Sequence, residues 1–374
     1  MKFKTIFFIC ALVAPGLGNA QNGEMAYMRY EGNIGSSISI TANIIRLYEN
    51  LSGNYQYRYI EDDASMHYGK SIELSGAIDE NNEAKLREFG SKEYTFTGQI
   101  SGDSFKGDWN AGDDRTVPFD MKEYYPNGSM PFDVHYLRSE GKLVEGEAGS
   151  PLAEIEMTLI YPTNDYVQPD IADSVRKIIV NSYFGPGFGV NAPDSMMLTF
   201  EEEYLGKYVR QNENWHEVGG ASFNWENVIS MSVVYNTGYL LCLEYLKYAY
   251  SGGAHGMTNV SYDIIYLDNG QLLTFTDVFK DDDASKEKLT QILTKQLRKD
   301  YSIPEEMLLS EAGFFVETVE PNRNIYVNGN GVGFLYNSYE IAPYSQGSTN
   351  IFLEFRQIQD LVKMGTPVYQ MTQR

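Results

Sequence analysis

Cysteine is nearly absent: only Cys10 and Cys242 occur in 374 residues. Two thiols exclude a disulfide scaffold and a four-thiolate zinc site. Histidine is as scarce. His67, His135, His216 and His255 are scattered, with no H-x-x-x-H pair, so a metal hydrolase would lack its ligands. Positive charge is also short, with 29 Lys and Arg against 51 Asp and Glu, a net charge of -22. That balance repels phosphate backbones and argues against nucleic-acid binding. There is no G-x-S-x-G nucleophile elbow, no G-x-G-x-x-G spacing and no phosphate-loop lysine. A pair of carboxylates for glycoside cleavage has no specificity as a signal among so many acids. What is abundant is aromatic: 29 Tyr in a chain that is 14% Phe, Trp and Tyr. Flat rings pack well on pleated surfaces, so this excess favours β-structure.

Residues 1–20 read as a cleavable secretory signal. Lys2 and Lys4 precede an apolar run from Ile6 to Ala14, Pro15 and Gly16 break it, and Gly18-Asn19-Ala20 offers small residues for cleavage after Ala20. The run is too short to span a bilayer, which needs ~20 residues, and no later segment is apolar for 18. A secreted or periplasmic protein is expected, with 27 basic residues against 51 acidic ones, or -24, and no transmembrane segment. Cleavage would leave Cys242 alone. It lies in the apolar run Tyr239-Leu240-Leu241-Cys242-Leu243, where a buried inert thiol is expected rather than a nucleophile.

Two folded units are predicted. Residues 21–128 alternate apolar and polar positions at period two, as in Ile72-Glu73-Leu74-Ser75-Gly76-Ala77-Ile78 and Phe105-Lys106-Gly107-Asp108-Trp109. Short strands recurring about every ten residues point to an all-β meander, sandwich or barrel. Residues 129–374 mix strands with helices. Pro169-Asp170 opens a helix that Gly185-Pro186-Gly187 stops, and a second helix is expected over 194–208. Hairpins are expected at Asn236-Thr237-Gly238, at Asp268-Asn269-Gly270 (pairing Tyr262–Tyr266 with Leu272–Phe275) and at Asn328-Gly329-Asn330-Gly331. Leu289, Ile292, Leu293 and Leu297 mark an amphipathic helix, Ile351–Phe355 a last strand and Gln357–Met364 a closing helix. Helices segregated from antiparallel hairpins make this unit α+β.

The most unusual local sequence is Tyr250-Ser251-Gly252-Gly253-Ala254-His255-Gly256. Three glycines in five positions permit close backbone approach, and His255 can donate, accept or ligate. The bland alternative is a tight turn with His255 bonded to the backbone. A second candidate is the tyrosine-rich stretch from Tyr336 through Tyr339, Pro343 and Tyr344 to Gly347, which suits either a binding surface or core packing. Asp281-Asp282-Asp283 precedes a helix and reads as a cap, not a calcium loop.

The segments 250–256, Leu272-Leu273-Thr274-Phe275-Thr276-Asp277-Val278-Phe279 and 334–344 with Gly347 resemble, in order and spacing, the DUF3298 domain family. The stretch of about 152–215 looks like the companion DUF4163 region, and the N-terminal β unit lies outside the resemblance. The family includes the extracellular, lysozyme-binding part of an anti-sigma factor and the non-catalytic part of a peptidoglycan deacetylase. The resemblance implies a non-enzymatic binding protein of the bacterial envelope, without cofactor or metal, whose partner is a lysozyme-like muramidase or the wall glycan. Under that reading the binding residues are Gly252, Gly253, His255, Tyr339, Pro343 and Tyr344, with no catalytic set. The alternative is an envelope hydrolase acting on glycan or peptide with His255 as general base. A structural or adhesive role for the β unit is a third reading.

Overall fold

A computed structural model of the chain describes residues 24–60, 66–89, 94–112, 115–164, 166–215 and 223–373. The expected signal at 1–20, its cleavage point and His216 lie outside the described residues.

The N-terminal unit is built of β1 (Met25–Ile34), β2 (Ile38–Leu47), β3 (Asn50–Ile60), β4 (Met66–Tyr68), β5 (Ile72–Ile78), β6 (Glu83–Glu88), β7 (Thr95–Ser101), β8 (Ser104–Asn110) and β9 (Thr116–Glu123). Each strand pairs antiparallel with its neighbour, β3 pairs with both β2 and β5, and β1 pairs with β9. That last pairing closes eight strands into an up-and-down barrel, with β4 as an annex on β3. Period-two patterning places one face inside: Tyr30, Ile40, Ile44, Leu51, Phe96 and Phe105 are fully buried in the lumen. Gly98 stands opposite Gly107, and a Cβ on either would lie 2.1 Å from a carbonyl oxygen of the facing strand. The strands approach there as only glycine allows.

The second unit centres on a six-stranded sheet in the order β10 (Phe132–Lys142), β11 (Leu152–Pro162), β12 (Trp225–Thr237), β13 (Leu240–Tyr250), β14 (Met257–Tyr266) and β15 (Gln271–Leu273). All neighbours are antiparallel except β11 and β12, which run parallel because α1 (Pro169–Phe184) and α2 (Pro193–Gln211) intervene between them. Helix α1 buries Ile171, Val175, Ile179 and Tyr183 against Met157, Met231 and Leu243 on one face of the sheet. On α2, Glu202 and Glu203 face solvent while Met196, Met197 and Tyr208 are buried. The other face is covered by α4 (Asp283–Asp300) and a three-stranded sheet of β16 (Ile325–Asn328), β17 (Gly331–Tyr336) and β18 (Thr349–Glu354). Asp282 caps α4 by accepting from the Ser285 backbone, as expected of that acidic run. Cys242 is fully buried in this second core and burial pushes its thiol pKa far up, so it is inert.

Two local expectations fail. Phe275 does not extend β15. Thr274 and Asp277 form a capping box that turns Phe275–Val278 into the short helix α3. The closing segment is not one helix over 357–364. It breaks into α5 (Phe355–Ile358), a bridge of Val362 to Phe279, and α6 (Pro367–Met371). The bridge wins because it seals Phe279 and Leu361 into the core.

The barrel docks on the sheet through a buried polar seam. Arg29, with no exposed surface, donates Nε to Asn236 O at 2.7 Å and Nη1 to Tyr124 O at 2.6 Å. Asn236 Nδ2 donates to Tyr27 Oη and to Met130 O, and its Oδ1 accepts from Met130 N. Asn54 Nδ2 donates to Val233 O beside a bulge in β12. Each buried polar group is met, as burial requires.

Candidate functional site

The glycine-rich and tyrosine-rich loops come together at one end of the six-stranded sheet. The turn between β13 and β14 carries Gly252 at φ 95° and Gly253 at φ 102°, left-handed values that a side chain would strain. Tyr250 Oη donates to Gly253 O and clamps the turn. Gly256 is buried against Tyr248, where a Cβ would fall 2.3 Å from the phenol oxygen. These features aim His255 outward.

Opposite it, β17 runs into the loop 337–347. Asn337 Oδ1 accepts from Val260 N at 2.8 Å and its Nδ2 donates to Val260 O at 3.1 Å, so one amide side chain imitates a neighbouring strand. Asn324 Nδ2 also donates to Val260 O. This pairing caps the edge of β14 where β15 does not reach, and it fixes the loop against the turn bearing His255. Pro343 precedes a 3₁₀ turn, Tyr344–Gln346, whose Gln346 N donates to Pro343 O.

The outcome is a stack of rings. His255 lies on Tyr344 with centroids 3.8 Å apart and planes 16° apart, and Tyr339 flanks both at 6.4 and 5.9 Å. Tyr339 is 49% exposed and sits at φ 73°, a left-handed value that a tyrosine adopts only under constraint. His255 Nδ1 lies 2.9 Å from Gly256 O, which fits Nδ1–H as donor, and Nε2 faces Tyr339 Oη at 3.4 Å. Among the described residues no carboxylate bonds to His255, and no group of three His, Cys, Asp or Glu side chains could hold a metal. The geometry offers flat, amphipathic contact area.

All six expected residues, Gly252, Gly253, His255, Tyr339, Pro343 and Tyr344, therefore belong to the two loops that meet here. Sequence reasoning did not single out Asn337, Asn324 or Tyr248, which with Gly256 set the stack in place. The one available signal was Asn337 at a strand-to-loop junction, a position where a side-chain amide can replace a backbone partner. His135 is elsewhere, paired with Asp194 between β10 and α2 at 2.9 Å.

Residues 276–356 match the family model described as "Protein of unknown function (DUF3298)". This segment is similar to the DUF3298 family. It holds Tyr339, Pro343 and Tyr344, while the turn with His255 precedes the matched residues. A crystal structure of a DUF3298 family member from Bacteroides fragilis is similar at a TM-score of 0.60 and 22% identity, over 66% of this chain and 99% of that one. At that identity the likeness concerns the fold. A DUF3298 family protein from Pseudomonas aeruginosa gives 0.44 and 16%, over 64% of this chain and 97% of that one. Comparison with curated protein sequences gave no match. Among the described residues, no helix is long and apolar enough to cross a membrane.

Proposed function

We propose that this chain is a secreted or periplasmic, non-enzymatic binding protein of the bacterial envelope, and that the His255–Tyr344–Tyr339 stack, whose two tyrosines lie in the DUF3298-matching segment, is the contact surface. The partner is a lysozyme-like muramidase or the wall glycan. One observation carries this reading: Tyr339 keeps a half-exposed ring on a backbone conformation that disfavours any side chain. A glycine would fit that backbone more easily, and the half-exposed ring held there is free to meet a partner. The net charge of -22 suits a basic protein partner, since long-range attraction accelerates encounter and makes binding salt-sensitive. Calorimetry against several lysozymes and soluble glycan fragments, at low and physiological salt, tests it. Heat that disappears in the Tyr339→Ala protein is the expected result, and no heat with any of these partners removes the proposal.

A hydrolase is the second reading. Its supporting observation is the Nε2 lone pair of His255, which is a proton acceptor beside Tyr339 Oη when Nδ1 donates to Gly256 O. Turnover of glycan or peptide that is lost in His255→Ala would favour it over a binding role.

A further inference from the structure

The barrel carries a second concavity, far from the aromatic stack in sequence and built from different chemistry. At one end of the barrel β1 begins, β2, β5, β7 and β9 end, and the turns at 48–49, 79–82 and 102–103 reverse the chain. A pocket of about 390 Å³ opens among these segments. Its size is that of a small-molecule site, and barrel mouths are a favoured place for one.

Strand parity explains its lining. Met28 and Tyr30 face the lumen, so Ala26 does too. The lumen residues Ala42 and Ile44 put Arg46 on the inner face of β2, and Phe119 and Met121 put Glu123 on the inner face of β9. Ala26, Met28 and Ile100 thus give an apolar floor, with Arg46, Glu123 and Asn82 around it. The two charges are not spent on each other. Arg46 donates Nε to Tyr48 O at 2.9 Å, and its terminal amines bond to nothing among the described residues. Glu123 accepts from Tyr125 Oη at 2.9 Å and forms no ion pair among the described residues. Burial raises the Glu123 carboxyl pKa, the Tyr125 bond offsets part of that, and Asp103 nearby adds to the rise.

Arg46 stands opposite Ala26 and Glu123 opposite Tyr30, four residues apart along β1. Four strand residues span about 13 Å before the side chains lean inward. Arg46 and Glu123 also lie on strands either side of β1, so these positions favour a ligand whose two charges are set apart over one that carries them on a single carbon.

We propose that this barrel mouth binds a small zwitterion with an apolar body and separated charges, such as a dipeptide with aliphatic side chains. Its carboxylate meets Arg46, its ammonium meets Glu123 and its side chains lie on Ala26, Met28 and Ile100.

Three probes test this on the intact protein by calorimetry: leucyl-leucine, its N-acetyl form, which carries only the anion, and its amide, which carries only the cation. Leucyl-leucine is expected to bind about 10-fold or more tightly than either blocked form, which is ~1.4 kcal/mol. In Arg46→Gln the advantage over the amide disappears, and in Glu123→Gln the advantage over the acetylated form disappears. The comparison among probes on the unaltered protein stands even if a variant folds poorly. Equal affinity for all three, no heat from any, tighter binding of the acetylated anion alone, or variants that bind leucyl-leucine undiminished would each overturn the assignment.

Discussion

Single residues set the aromatic site, and substitutions there separate shape from contact. Tyr339→Gly relieves the left-handed backbone at φ 73°. Stability in urea denaturation is expected to stay level or rise by up to ~1 kcal/mol, while partner binding is lost. A tyrosine that only held the fold would lower stability instead. Gly256→Ala does the opposite. Its Cβ would sit 2.3 Å from Tyr248 Oη, so the phenol end of Tyr248 or the turn must shift, and a loss of about 1 kcal/mol is expected together with a changed His255–Tyr344 stacking signal in aromatic-ring NMR. Much at this scale was legible in the sequence. The glycine run announced an irregular turn, and the bland expectation that His255 would bond to the backbone is met through Gly256 O. What could not be read was which tyrosines are exposed. Tyr336 is buried, Tyr344 half-buried and Tyr339 half-exposed, yet all three share one composition signal. Their fate depends on loop direction, which Asn337 decides by binding Val260 from the far side of the sheet edge.

At the scale of elements, the strands and long helices followed from period-two and helical patterning because burial enforces those periods. Helix α1 begins at Pro169 and ends at Gly185, as its sequence signals predict. The errors fall where a local cap outcompetes apolar pattern, as at Thr274–Asp277, or where one long-range bridge splits a segment, as at Val362. Element docking can be tested at Asn236, whose side chain holds Tyr27 Oη and both backbone groups of Met130. Asn236→Ala leaves both backbone groups of Met130 without this side-chain partner and Tyr27 Oη with only its bond to Asn43 Oδ1. A loss of about 3 kcal/mol in equilibrium denaturation is expected, with protease cleavage first appearing between 124 and 131.

For the whole molecule, the docked interface brings two acids of separate units together. Glu244, half-buried on β13, accepts from Tyr262 Oη at 2.8 Å. Burial raises its pKa above the ordinary 4.5, and Glu73 on the barrel adds to the rise, while the Tyr262 bond only partly offsets it. A carboxyl whose folded pKa is raised contributes stability below its unfolded pKa and loses that contribution as pH rises through the folded value. The protein should therefore melt higher near pH 5 than near pH 7 on account of this group. Glu244→Gln should flatten that slope and raise the melting temperature at pH 7, and an unchanged pH profile in scanning calorimetry would refute the assignment.

Closure of the barrel has a consequence for biogenesis. β1 is the first strand to be synthesised and β9 the ninth, yet Tyr30 to Ile34 must find Phe119 to Glu123 before the cylinder shuts. β2 follows at once and pairs with one edge of β1, but the other edge stays open until about ninety further residues have arrived. Pairing of that sequence separation is slow. During that interval the lumen side chains are wet, and the unfilled edge of β1 is the point at which a chaperone or a neighbouring nascent chain would attach.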